Sequence, residues 1–264
     1  MFVRSGQDPT WLVQNYAYMV SRRLDWRQLG ILAERYLELV LADSGNTILL
    51  LLQAPIIAGC IVVVWGDNDQ VTSSLYFVLT LSAIWFGTIN ASREIVKEKA
   101  IFEREARVGL DPTAYVLSKV SVLALLGFIQ CLCLVFVVDR WVALPGTTFL
   151  HFLVLFAASM AGAGLGLAIS AVVSTPDRAT AAVPILLLPQ ILFSEMVMDH
   201  SHSSALVKAL EDLTITAWTY QGLTEVAASE PDVFKMLQGM FTPLLMAGLL
   251  IGAAIFLVKR SVRR

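Results

Sequence analysis

The densest chemistry in the chain is residues 92–107, SREIVKEKAIFEREAR, which holds four carboxylates and five cations with no proline or glycine. A run of this kind suits a charged helix. Ile95, Ile101 and Phe102 give it apolar anchor points. One reading is a solvated helix between two apolar segments. The other is a lever: a charged helix tied at both ends to membrane spans can take a push from a partner. Elsewhere the residues that do chemistry are sparse. No G-x-x-x-x-G-K-[ST] loop is present, so this stretch of chain does not bind ATP by that means. The histidines are His151, His200 and His202. His200 and His202 flank one serine in a polar segment, which is a weak metal pair and reads as a solvated loop; no HExxH or paired intramembrane carboxylate accompanies them, and no metal site is expected. Cys60, Cys131 and Cys133 all lie in apolar runs, as reduced thiols acting as small hydrophobes. Glu195 is the one acid inside an apolar run, close to its end. A carboxylate there either gates a path or reaches interfacial water.

The elements that must position these groups are membrane spans. Of 264 residues, 57% are hydrophobic and 15% charged, where a soluble domain carries about 25% charged residues. The apolar material is gathered into long runs near the ~20 residues that cross a bilayer. They fall at 47–65, 75–92, 113–138, 148–173, 181–198 and 239–258, so the expected fold is an all-α membrane protein with six transmembrane helices. Before them, residues 1–25 form a polar tail. Residues 26–42 form an amphipathic helix with Leu29, Leu32, Ala33, Tyr36 and Val40 on one face and Arg27, Glu34 and Glu38 on the other. Such a helix lies along the membrane surface, and Asp43-Ser44-Gly45-Asn46 ends it. Residues 199–238 form an outer loop and 259–264 a basic tail.

Charge sets the orientation. With both termini in the cytoplasm, sixteen of the 19 lysines and arginines face inward, and only Arg140, Lys208 and Lys235 face out. The positive-inside rule selects that arrangement, and an even span count agrees with it. The first ~45 residues hold no apolar stretch fit for a secretory signal. Small residues recur every four positions at Ala158, Gly162, Gly166 and Ser170, and again at Gly248 and Gly252. These stripes let helix backbones approach closely, either within one subunit or between two copies. Nothing in the composition points to nucleic acid.

The charged run also carries a resemblance. Glu98, Phe102, Glu105 and Tyr115 follow the order seen in type-2 ABC exporter permeases, and the run resembles their coupling helix. The likeness is strongest to the G subfamily, which includes the White pigment transporters and a multidrug half-transporter. Residues 26–42 are similar to the family's connecting helix, and 184–194 (PILLLPQILFS) to its fifth span. Residues 217–222 (AWTYQG) sit where the family has a Pro-x-Arg-Tyr-Gly motif after an outer re-entrant segment.

The resemblance implies a set of roles. Glu94, Glu98, Phe102, Arg104 and Glu105 would couple the chain to an ATPase. Phe86, with Pro189 and Phe193, would face a substrate cavity, Phe86 as a clamp. Glu195, Met196 and Val197 would form the outer gate, with Glu195 where the family usually has glycine. The implied partners are two copies of an ABC ATPase subunit, which would bind ATP and Mg²⁺, a second copy of this chain, and membrane lipids; this chain itself would hold no cofactor and carry no enzyme activity. The implied place is a cell membrane, a bacterial inner membrane. The implied act is export of a lipid-like or amphipathic substrate by alternating access. The rival class is an ion- or proton-coupled transporter or channel, which would need charged groups at mid-membrane.

The orientation is testable in a variant without native cysteines. A cysteine at Ser203 should react with an impermeant thiol reagent in intact cells, and one at Ala100 only after the membrane is opened. The reverse pattern would overturn the topology.

Overall fold

A computed structural model of the chain describes residues 25–66, 72–194 and 205–262. Among them every regular element is helical. Helix α1, Trp26–Ala42, starts at Asp25, whose carboxylate accepts from the N–H groups of Arg27 and Gln28, a standard N-cap. Asp43 then serves two helices. Its own N–H donates to the Leu39 carbonyl, ending α1, and its side chain accepts from Asn46 N–H, starting α2, Ser44–Trp65. The expected loop at 43–46 is thus a one-residue corner. Helix α3 follows, Ser73–Ala91.

The charged run is not the single helix that its composition suggests. The chain leaves α3, turns through residues 92–95, makes a 3₁₀ turn at Val96–Glu98, and only then forms α4, Lys99–Arg107. The cause is a side chain distant in sequence. Ser170 Oγ accepts hydrogen bonds from Ile95 N–H at 2.9 Å and Val96 N–H at 3.0 Å. Those donors are satisfied sideways instead of up the helix, so the backbone can break there.

Helix α5, Pro112–Val142, is capped by Asp111 and carries proline at its first position, where a missing N–H costs nothing. Helix α6 is Thr148–Val172. Helix α7, Pro176–Leu192, starts five residues before the expected span at 181–198, because Thr175 caps it and Pro176 opens it. The stretch 174–178 (STPDR), whose serine, threonine and proline read in sequence as a turn, is the start of a helix. It ends at Leu192; residues 195–204, which hold the expected gate Glu195, Met196 and Val197, lie outside the described residues. Two short helices follow, α8, Ala205–Asp212, and α9, Ile215–Ala227. Helix α10, Val233–Val262, begins six residues before the expected span and absorbs Lys259 and Arg260. Asp232 sets its start by accepting from Phe234 and Lys235 N–H.

Five runs among the described residues are long and apolar enough to cross a membrane: α2, the run Ser73–Arg107 that begins with α3, α5, α6 and α10. Helix α7, at 17 residues, is shorter than they are. Packing sorts them. Helices α3 and α6 are largely buried, whereas α2 and α10 keep most of their apolar side chains on the outside.

The α3–α6 seam explains one of the glycine stripes. A Cβ added at Gly162 would strike the Ile84 carbonyl, and one at Gly166 would sit 2.5 Å from the Thr88 carbonyl. Gly87 on α3 faces the Ser159 carbonyl in the same way. Backbones this close exclude any side chain. The other stripe behaves oppositely: nothing lies within 4 Å of a Cβ at Gly248 or Gly252. Gly162→Ala should therefore cost about 1–3 kcal/mol through forced overpacking, while Gly248→Ala should be silent. Thermal melts of the purified chain in detergent check both, and equal melting for the two variants would refute the seam.

Candidate coupling site

The residues read from sequence as coupling candidates gather at one end of the bundle, where α1, the 3₁₀ turn, α4 and the start of α5 meet. Its centre is Lys119, on α5, with only 1% of its surface exposed. A charge there demands partners. Glu98 Oε2 lies 2.8 Å from Lys119 Nζ. Two ring faces complete the surroundings, Tyr36 with its centroid 4.0 Å from the ammonium and Tyr115 at 5.0 Å. Rings placed this way attract a desolvated cation through their quadrupoles. Tyr115 also donates to Glu98 at 3.4 Å and stacks on Phe102 with centroids 4.5 Å apart.

Around this centre three α1 side chains clamp the helix to the charged run and to the loop after it. Tyr36 O–H donates to Glu94 Oε2 at 2.5 Å, and Glu94 is held in turn by Lys97 at 2.6 Å. Burial, followed by the neighbouring Glu94 carboxylate, pushes the Tyr36 hydroxyl well above its ordinary pKa, so it remains a donor. Arg35 grips Glu105 with both terminal nitrogens, at 2.9 and 3.3 Å, and that hydrogen bond to Glu105 raises the guanidinium pKa further. Gln28 spans the loop after α4: its Nε2 donates to the Gly109 carbonyl and its Oε1 accepts from Asp111 N–H. Bidentate arginine–carboxylate pairs fix geometry as well as distance.

The charges of the run are partly sorted. Glu94, Glu98 and Glu105 turn inward to partners in their own chain, and Phe102 is buried with them. Arg93, Lys97, Arg104 and Arg107 are exposed, as are Ile101 at 48% and Val108 at 84%. Lys97 also holds Glu94, Arg93 donates to Asn46 on α2, and Lys99 and Glu103 are half-buried. Arg104 bonds through Nε to the Ala100 carbonyl one turn back, which leaves the rest of its guanidinium free to face outward. Ile101, read from sequence as an anchor alongside Ile95 and Phe102, is instead on the open face.

The other sequence-predicted residues lie away from this cluster. Phe86 is fully buried in the helix core, Pro189 is exposed on α7, and Phe193 is half-buried at the end of α7. His151 is buried in α6 with Nδ1 3.2 Å from the Thr147 carbonyl. Among the described residues no group of three metal-ligating side chains exists, and His200 and His202 lie outside them. Sequence reasoning missed Arg35, Tyr36 and Lys119 as site residues. Lys119 carried a signal, being a charge inside an apolar run; Tyr36 and Arg35 carried none, since each fits an ordinary amphipathic helix.

Apolar helices long enough to cross a membrane, with a charged, inward-braced segment at one end, define a multi-pass membrane domain. The chain belongs to the ABC-2 type transporter family, whose pattern it matches over residues 27–227. It is similar to an ABC transporter ATP-binding/permease protein of Mycobacterium tuberculosis, 26% identical over 238 aligned positions that cover 83% of this chain and 27% of that protein. The chain thus spans about a quarter of that relative's length.

Breaking a buried ion pair from one side costs roughly 3–5 kcal/mol, because the remaining charge stays buried. Lys119→Met should therefore lower the melting temperature of the purified chain sharply, and the double variant Lys119→Met with Glu98→Leu should recover much of the loss. A single variant that melts like the parent would dismiss Lys119 as the organising charge.

Proposed function

We propose that the chain is the permease subunit of an ABC exporter and that a separate ABC ATPase pushes on the exposed face of residues 93–108. The observation that carries this reading is the partial sorting of that segment's side chains. A solvated helix has no reason to turn three of its four acids inward and leave two aliphatic side chains exposed beside arginines. A docking helix does: Ile101 and Val108 fill an apolar groove, with Arg104 and Arg107 of the same helix at its rim. The family membership supports the pairing with an ATPase, and the name of the mycobacterial relative joins ATP-binding and permease in one protein.

The inward half of the segment then has a different task from the one its sequence suggested. Glu94, Glu98, Phe102 and Glu105 carry the push to α1 and α5 through Tyr36, Lys119, Tyr115 and Arg35. In this reading α7 completes six spans, both termini are cytoplasmic, and two copies of the chain enclose the path with two ATPase subunits below, in a bacterial inner membrane. ATP and Mg²⁺ are held by those subunits. Pro189 and Phe193 border the path in the working dimer, Phe86, packed in the core in this arrangement, joins them when the bundle opens, and Glu195, Met196 and Val197 form the outer end. Apolar walls of this kind favour a lipid-like or amphipathic substrate that moves by alternating access.

Co-purification with the ATPase in detergent tests the docking face. An aliphatic side chain seated in a groove contributes about 1.5–3 kcal/mol, so Ile101→Asp should weaken retention tenfold or more. Arg104→Glu should shift it less, and mainly at low salt, since an exposed charge contributes ~0–1 kcal/mol. Retention of both variants at the parental level would sink the docking reading, whatever the substrate.

A further inference from the structure

Helix α7 is lightly embedded. Only Ala179, Val183 and Leu187 are buried, one narrow stripe at four-residue spacing. Pro184 and Pro189 interrupt it; neither has an N–H, so the carbonyls of Thr180 and Ile185 lose their helical donors and the helix is weakened at both places. Yet α7 touches both ends of the molecule. It meets the 3₁₀ turn Val96–Glu98 at the charged end and α9 at the other.

The contact with α9 is specific. The first N–H groups of any helix have no partner within it. In α9 the N–H of Ala217 is taken by the Thr214 hydroxyl, at 3.2 Å. The N–H groups of Ile215 and Thr216 are taken by Gln190 Oε1 on α7, at 2.8 and 3.2 Å, and the Thr216 hydroxyl donates to the same oxygen at 3.3 Å. Three donors converge on one side-chain oxygen, just beyond the second proline. Ile215 and Thr216 are themselves buried, so water does not readily replace Gln190. The start of α9 is thus capped by a different helix, and that helix is the one whose other end rests on the charged run.

We infer that Gln190 is a positioning residue, the latch through which α7 carries motion of the 93–108 segment to α9. This rests on the permease reading above and adds to it the route by which the two ends communicate. Above Pro189 the last turn of α7 moves with α9. Below Pro184 the helix moves with the 3₁₀ turn. The two prolines let the halves change angle without breaking either attachment. Within the trunk, the α3–α6 seam is too close-packed to shift.

Two substitutions separate the latch from simple packing. Gln190→Met keeps length and removes the acceptor. Gln190→Glu keeps the acceptor and adds a negative charge, which a helix start favours. The first reading is hydrogen exchange of the Ile215 and Thr216 amides in the chain alone: Gln190→Met should speed it about tenfold or more, as expected for a lost hydrogen bond to a buried donor, and Gln190→Glu should not. The second uses the chain bound to its ATPase, with spin labels on cysteines at Ala100 and Leu213. The parent and Gln190→Glu should change their label distances when ATP and vanadate are added. Gln190→Met should keep ATP hydrolysis and lose the distance change at Leu213. Parental exchange in Gln190→Met would abolish the latch. Faster exchange with a parental distance change would show that the latch carries no motion, and would equally overturn the inference. A parent that binds no ATPase would instead refute the permease reading, with the exchange experiment still deciding whether Gln190 caps α9.

Discussion

The charged end of the molecule is built around one constraint, an ammonium group that water does not reach. Lys119 lies on a long apolar helix with 1% exposure, and an ion left alone there would be intolerable. Glu98 answers it at 2.8 Å, and placing Glu98 requires the chain to leave α3 and double back under α5. That return is what Ser170 makes possible by taking the Ile95 and Val96 N–H groups. Tyr36 closes the remaining side, which fixes where α1 must lie. One buried charge therefore dictates a helix break, a 3₁₀ turn and the seat of an amphipathic helix.

This brace has a mechanical consequence. A segment held only by surface ion pairs would slip when pushed, since each contributes ~0–1 kcal/mol. Here the inward carboxylates are each held by a partner in α1, in α5 or in the run itself, and Phe102 is stacked on Tyr115. The segment cannot shift without taking α1 and α5 along. Force applied to Ile101 and its neighbours would reach two long helices as a rigid displacement.

Much of this was legible in the sequence. The apolar runs placed α2, α3, α5 and α6 within a few residues and α10 with its start six residues late, because span length is set by the bilayer and not by tertiary detail. The amphipathic helix at 26–42 matched in both bounds, with Leu32 and Tyr36 on its buried side. The charged run was identified as special, but its facing was not. A sequence of alternating acids and bases shows no preference for inside or outside; the facing depends on where Lys119 and Tyr36 arrive, some 20 and 60 residues away. The start of α7 was missed for a local reason. Thr175-Pro176-Asp177 reads as a turn, yet the same residues are a good helix start, and only packing decides between them. The role of Gln190 was not read, although a glutamine at the centre of the expected span 181–198 is a polar side chain that needs a partner in lipid.

The contrast between trunk and α7 follows from how helices hold together in lipid. With no hydrophobic drive between them, they associate through close backbone approach and polar contacts. The α3–α6 pair uses the first, with glycines set against carbonyls, and such a seam has one arrangement, because interdigitated backbones deform poorly. Helix α7 uses the second, with one narrow stripe along its length and hydrogen bonds concentrated at Gln190. An element tied at its ends and lightly held between them can pivot while its attachments persist. Spacing alone does not write that division. Gly248 and Gly252 repeat the stripe with nothing packed against them, and Pro55 and Pro243 lie inside α2 and α10. It is the opposing carbonyls that make the seam rigid, and the scarcity of buried contacts that lets α7 pivot.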